Sequence, residues 1–137
     1  MSAVLVDSNV LLDIMTEDQR WHSWSAATIE RVADRSRLVI NPVIYAELSI
    51  RFSRIEELDG VLPKTMFDRE PIPYEAAFLA GKSFVAYKRR GGSRSSPLPD
   101  FFIGAHAAVA GYQLLTRDMG RYRTYFPKLS LIAPDSD

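Results

Sequence analysis

Four acidic side chains stand where a chain seldom leaves a charge unpaired. Asp7 closes the apolar run Ala3, Val4, Leu5, Val6 and is followed by Asn9, while Glu47 lies between Ala46 and Leu48. Asp100 comes directly after Leu98 and Pro99 at the start of an apolar stretch, and Asp118 follows Leu114, Leu115, Thr116 and Arg117. Desolvating a carboxylate is costly unless a donor or a positive charge meets it, so Asp7 in particular implies a role.

Taken singly, each acid has a plain reading. Asp7 serves as well as a turn former, and Glu47 sits one helical turn before Arg51, an exposed pair worth a few tenths of a kcal/mol. Asp100 suits a helix N-cap, where the helix dipole favours a carboxylate, and Asp118 suits a turn before Gly120. Brought together, the four would raise one another's pKa by repulsion. A divalent cation would relieve this, and an oxygen-only ligand set suits Mg²⁺ or Mn²⁺, with Asn9 and Thr116 giving neutral oxygens or holding a water.

The elements that must carry these residues alternate between strand and helix. A strand runs to Val6, and a short helix over 10–15, capped by Asn9 or Ser8, follows it. A helix over about 23–35, a strand at 38–40 and helices over 43–52 and 55–62 come next. Ile72 between Pro71 and Pro73 allows a short edge strand. Tyr74, Ala77, Phe78, Gly81, Phe84, Val85 and Lys88 keep helical spacing, residues 88–99 read as an exposed loop, and 101–112 read as a helix crossing the core. Strands over 113–116 and 129–132 complete a parallel α/β sheet with helices on both faces. In such sheets ligands bind beyond the carboxyl ends of the strands, where Asp7 and Asp118 both fall.

The chain of 137 residues is expected to form one domain, 1–137, with an ordinary 47% hydrophobic and 25% charged composition. Having no cysteine, it has no disulfide framework, thiolate nucleophile or cysteine zinc site, which fits a cytoplasmic protein. No apolar run approaches the roughly 20 residues of a membrane span, and no secretion signal is visible. The net charge of +0 is unevenly divided: residues 1–75 hold 8 basic and 13 acidic side chains, residues 76–137 hold 9 and 4. The second half therefore offers a basic surface.

Between Ala76 and Pro99 there is no acid, while Lys82, Lys88, Arg89, Arg90 and Arg94 accompany glycines and serines. This loop reads either as an RNA-backbone clamp or as a solvated segment. Arg117 and Arg121, with Arg123, flank Asp118 and suit phosphate, although Arg117 could equally neutralise a neighbour. Trp21, Trp24, Tyr45 and Phe52 fit base stacking, a partner groove or core packing. His22 and His106 read as surface or core histidines without a catalytic role.

The order and spacing of these pieces resemble a PIN domain, and in particular a VapC-type toxin ribonuclease of a type II toxin–antitoxin pair. The resemblance rests on Leu5 to Asn9, on Ala46-Glu47-Leu48-Ser49, on Pro99 to Ala107 and on Leu114 to Asp118. The closing Tyr-Arg-Thr-Tyr-Phe-Pro, residues 122–127, adds to it. It implies a three-layer α/β/α fold with a mainly parallel sheet, and Asp7, Glu47, Asp100 and Asp118 as the metal-binding acids. It further implies Mg²⁺- or Mn²⁺-dependent endoribonuclease activity leaving 5′-phosphate and 3′-hydroxyl ends, a homodimer, and a VapB-type antitoxin as partner.

Two other readings stay open. A haloacid dehalogenase-like phosphatase also ends strands in aspartate and threonine, but it wants a second aspartate where Asn9 stands and further chain after the threonine strand. A catalytically silent RNA- or protein-binding PIN module is the other.

Overall fold

The computed structural model describes residues 2–94 and 98–135. Its elements in chain order are β1 (Ser2–Val6), α1 (Ser8–Met15), α2 (His22–Ala33), β2 (Ser36–Ile40), α3 (Pro42–Ser49) and α4 (Ile55–Val61). They continue with β3 (Phe67–Arg69), α5 (Tyr74–Arg89), α6 (Pro99–Ala110), β4 (Gln113–Leu115), α7 (Gly120–Tyr125) and β5 (Leu131–Ile132). All four strand pairings are parallel, in the order β3-β2-β1-β4-β5. Helices flank the sheet to give three α/β/α layers.

Why β1 lies at the centre follows from its composition. A parallel strand is covered on both faces and needs a continuous apolar run, and Val4, Leu5 and Val6 are fully buried. β1 pairs with β2 through Val4↔Leu38 and with β4 through Leu5↔Leu114, so the chain departs from β1 in opposite directions on its two sides. That reversal opens a crevice at the carboxyl ends of β1 and β4.

The helices that border this crevice start on local signals. Asn41 caps α3, accepting from the Ile44 amide at 2.9 Å, and Pro42 occupies the first turn, where a missing N–H costs nothing. α6 begins with Pro99 and stops at Gly111, whose φ of +74° is the left-handed conformation that ends a helix. Within α6, a Cβ at Gly104 would lie 2.5 Å from the Phe126 ring and 3.1 Å from Tyr122. The bare glycine lets α7 seat against α6.

Several expectations shift. Asp7, not Asn9 or Ser8, caps α1, its carboxylate accepting from the Ser8 amide. The edge strand is β3, five residues before Ile72, because the prolines at 71 and 73 remove the donors a ladder needs. α5 extends into the basic segment as far as Arg89, and α7 is an added short helix. Ser95, Ser96 and Pro97 of the basic loop lie outside the described residues. Among the described residues no helix is long and apolar enough to cross a membrane.

Candidate active site

Asp7 sits at the mouth of the crevice yet is only 3% exposed. Its Oδ2 accepts from the Thr116 hydroxyl at 2.8 Å and the Tyr122 hydroxyl at 2.9 Å, with the Asn9 amide more distant at 3.4 Å. Its Oδ1 accepts from the Ser8 N–H at 2.8 Å. The side chain is therefore held rigidly by groups from α1, β4 and α7. Thr116 follows β4 directly, which is why a hydroxyl from a residue 109 positions away can reach it.

The other acids approach from separate elements. Glu47, on α3, is half-buried and accepts from the Ser8 hydroxyl at 2.8 Å. This replaces the expected pairing with Arg51. Asp100 lies in the first turn of α6 one residue past Pro99, so Leu98 and not Asp100 is the cap residue. Its carboxylate accepts instead from Tyr122 at 3.4 Å and from Arg121 at 3.3 Å. Asp118 is exposed in the turn after β4, with its Oδ1 accepting from the Gly120 amide at 3.3 Å.

Electrostatics tie these groups together. Burial, and then the neighbouring charges of Asp100 and Glu47, push the Asp7 carboxyl up to about 7 against the opposing donors Thr116 and Tyr122. Burial and the Asp100 charge raise Glu47. Burial and the Asp118 charge raise Asp100, although Arg121 opposes them. Burial, with Asp7 and Asp100 beside it, raises Tyr122, so its hydroxyl stays a protonated donor to both carboxylates. Asp7, Glu47 and Asp100 thus stand in a field dominated by acids, with Arg121 as the cation that faces it.

Such a cluster calls for a cation, and its donors are all oxygen. Among the described residues no three acidic or histidine side chains stand close enough to cage an ion. The arrangement accordingly fits a hard divalent ion held by one or two carboxylates, with water and a substrate phosphate completing its shell, as Mg²⁺ is usually bound. It does not fit an all-protein site.

The basic residues divide into two groups. Arg117 commits its guanidinium to Asp13, with Nε to Oδ2 at 2.8 Å and the second nitrogen to Oδ1 at 2.9 Å. It also packs over the Trp21 ring. Arg121 lies at the crevice between Asp100 and the rings of Tyr87 and Phe101. Arg90 stacks on Tyr125, while Arg89 and Arg94 are exposed near the end of α5. His106 is buried away from the acids, against Asn41 and Glu70.

Sequence reasoning missed Tyr122, Ser8 and Asp13 as parts of this region. Their partners lie up to 115 residues away, and no local spacing encodes such contacts. The one available signal was Asp13 itself, an acid in the apolar face of α1.

The fold and the crevice define an α/β/α protein with an acid cluster at the switch point of a parallel sheet. The PIN domain model matches residues 4–127, and the chain belongs to the PIN domain family. No match was found among curated protein sequences.

Solved structures share the fold at low identity. VapBC2 from Rickettsia felis, bound to a DNA fragment from its promoter, is 17% identical with a TM-score of 0.73, over 97% of this chain and 99% of that one. VapBC-1 from nontypeable Haemophilus influenzae is 19% identical with a TM-score of 0.70, over 96% and 97%. A toxin–antitoxin complex from Klebsiella pneumoniae is 17% identical with a TM-score of 0.66, over 98% and 99%.

Proposed function

We propose that the chain is a metal-dependent endoribonuclease of the VapC type, the toxin of a toxin–antitoxin pair. Asp7, Glu47, Asp100 and Asp118 are its catalytic acids, and Asp7, Asp100 and Asp118 are the set that serves Mg²⁺ or Mn²⁺, one or two of them directly and the rest through the ion's water. The observation that carries this reading is the convergence of buried or half-buried carboxylates from the end of β1, from α3 and from α6, with Tyr122 bonded to both Asp7 and Asp100 and the Asp100 charge felt at Asp7 and Glu47.

A divalent ion, when bound, supplies a lowered pKa for water and charge stabilisation at the phosphate during in-line displacement. The chain's own groups do the rest. Thr116 and Tyr122 hold Asp7 Oδ2 in place, which leaves Oδ1, engaged by a single backbone N–H, as the oxygen with spare capacity for a ligand. Glu47, anchored through one oxygen by Ser8 and with its pKa raised, is suited to take and return a proton at the other oxygen. Arg121, beside Asp100, is placed to steady a substrate phosphate, with Arg89, Arg90 and Arg94 along the approach. No attack by the RNA 2′-hydroxyl is needed, and with the 3′-oxygen as leaving group, as the family resemblance implies, the ends are 5′-phosphate and 3′-hydroxyl.

The toxin assignment draws on the toxin–antitoxin complex among the fold neighbours. A VapB-type partner would present an arginine to the acidic crevice, since a guanidinium fork matches carboxylates, and the toxin itself would pair as a homodimer in the cytoplasm. The phosphatase alternative loses its footing because Asn9, in the position that chemistry needs acidic, is tied to Thr116 and to the Arg117 amide.

The test is a time course of RNA cleavage with Mg²⁺ or Mn²⁺ against EDTA, for the wild type and Asp7→Asn. Cleavage that requires the ion and fails in the variant is expected. Cleavage indifferent to chelation and to the substitution contradicts the proposal.

A further inference from the structure

Beside the crevice lies a buried ion pair that the proposed chemistry does not use. Asp13, on α1, is 2% exposed and receives three hydrogen bonds: two from Arg117 and one from the Ser25 hydroxyl of α2 at 2.8 Å. Arg117 itself stands between Thr116, which holds Asp7, and Asp118. Its backbone N–H also donates to the Asn9 side chain at 3.2 Å, and its guanidinium lies 5.5 Å from the Trp21 ring centre. One residue of the turn after β4 is thus fastened to α1 by backbone and side chain alike, and to the start of α2 by the aromatic ring.

We propose that Asp13 and Arg117 form a clasp that positions Thr116 and Asp118 over the crevice, making both positioning residues and removing Arg117 from the set that grips RNA. The inference rests on the nuclease reading of the site. Its physical ground is that a bidentate guanidinium–carboxylate pair fixes angle as well as distance, and it adds a side-chain tie from the turn to the body of α1 beyond the bonds that Thr116 makes to Asp7 and Asp118. Asp118 contributes only the Gly120 contact of its own side chain. Without the clasp the turn would keep the Thr116 N–H bond to the Ile132 carbonyl and the Thr116 hydroxyl contacts to Asp118, but it would lose the side-chain tie from Arg117 to α1 and with it the restraint on where Asp118 points.

A phosphate-binding Arg117 and a positioning Arg117 predict opposite outcomes for Asp13. Were Arg117 a phosphate ligand, Asp13→Asn would release its guanidinium, leaving RNA affinity equal or higher, and Arg117→Lys would keep the salt slope. Arg117→Met would then weaken binding and lower the slope of log affinity against log salt by about one unit. In the clasp account, RNA affinity measured in EDTA and its salt slope stay at wild-type values in Asp13→Asn, Arg117→Lys and Arg117→Met. In all three, kcat with Mn²⁺ falls about tenfold or more at unchanged KM, and Mn²⁺ affinity by calorimetry falls about tenfold, the scale of losing a group that orients a ligand.

Ser25→Ala, which removes only the third donor to Asp13, keeps the test available should the larger variants fold poorly, and a smaller loss in the same direction is expected. Wild-type kcat and Mn²⁺ affinity in folded Asp13→Asn and Ser25→Ala would overturn the clasp while leaving the nuclease reading intact. A wild-type protein that cleaves RNA only with metal confirms that reading independently. A wild type that neither cleaves RNA nor binds Mn²⁺ ends both, since the clasp would then have no site to position.

Discussion

Helix α6 takes part in two polar networks of opposite character. Its first turn places Asp100 in the crevice with Asp7, Glu47 and Asp118, where burial and neighbouring acids raise Asp7, Glu47 and Asp100 and Arg121 is the one side-chain cation paired within it among the described residues. Two turns later the same helix buries His106 against Asn41, Glu70 and Tyr112, with Arg37 beyond Glu70. Asn41 meets the His106 Nδ1 at 3.0 Å, and the Tyr112 hydroxyl donates to Glu70 at 2.8 Å. Arg37 approaches Glu70 at 3.8 Å while pairing with Asp68 at 2.6 Å. The first region removes charge from water without an equal opposite charge, whereas in the second the carboxylates of Glu70 and Asp68 keep partial exposure and both face Arg37.

The difference separates structure from function. A balanced network is what a fold keeps for its own stability, whereas like charges gathered at a strand end cost stability and persist only when something outside the chain completes them. Burial lowers the His106 pKa so that it stays neutral, and its Asn41 partner meanwhile caps α3. Nothing there asks for a ligand.

The largest effect that could break this contrast is on activity. Asp7→Asn is expected to reduce RNA cleavage by on the order of a hundredfold or more, since even groups behind a metal ligand are worth about 10- to 100-fold. The same variant should melt at a higher temperature than the wild type in EDTA at pH 8, because an uncompensated buried charge is gone. A large activity loss accompanied by lower stability would place Asp7 in the structural class with His106.

In the balanced network the effects should reverse. Glu70→Leu leaves His106 and Tyr112 without their acceptor and should cost about 2 kcal/mol in urea denaturation, with kcat per folded molecule little changed. Gly104→Ala tests the join between the two regions. The added methyl pushes on Phe126 and Tyr122, costing about 1–3 kcal/mol, and it should impair cleavage as well because Tyr122 bridges Asp7 and Asp100.

The most diagnostic effect is in the pH dependence of stability without metal. Asp7 rises from 3.8 unfolded to about 7 folded, so its favourable contribution is complete below pH 3.8 and is lost as the pH climbs toward 7. His106, with its pKa lowered, acts in the opposite sense and loses stability as the solution is acidified below its usual range. Melting temperatures in EDTA should therefore decline between about pH 4 and 7 by more in the wild type than in Asp7→Asn. Excess Mg²⁺ should shrink that difference, and equal slopes for the two proteins would remove the electrostatic basis of the site.

Much of this was legible in the chain because parallel, doubly covered strands must be continuous apolar runs. β1 and the acid that ends it, β4 with Thr116 and Asp118, and the apolar α6 that opens at Asp100 all announce themselves in that way. The caps were less legible, since Asp7, Ser8 and Asn9 are all good N-cap types and only geometry chooses Asp7. β3, at three residues on a sheet edge, is too short to carry a periodic signal. Glu47 and Arg51 have ideal helical spacing, yet Ser8 wins Glu47 because α1 and α3 pack together. The Asp13–Arg117 pair and the Tyr122 bridge span more than 100 residues, so only the completed fold brings them together.

Whether the acid cluster serves a metal-dependent hydrolysis of RNA is decided by sequencing the ends of RNA cut by the purified protein. 5′-Phosphate and 3′-hydroxyl ends are expected, formed only with Mg²⁺ or Mn²⁺ and absent with Asp7→Asn. Ends bearing a 2′,3′-cyclic phosphate, or cleavage that persists in EDTA, would contradict that role.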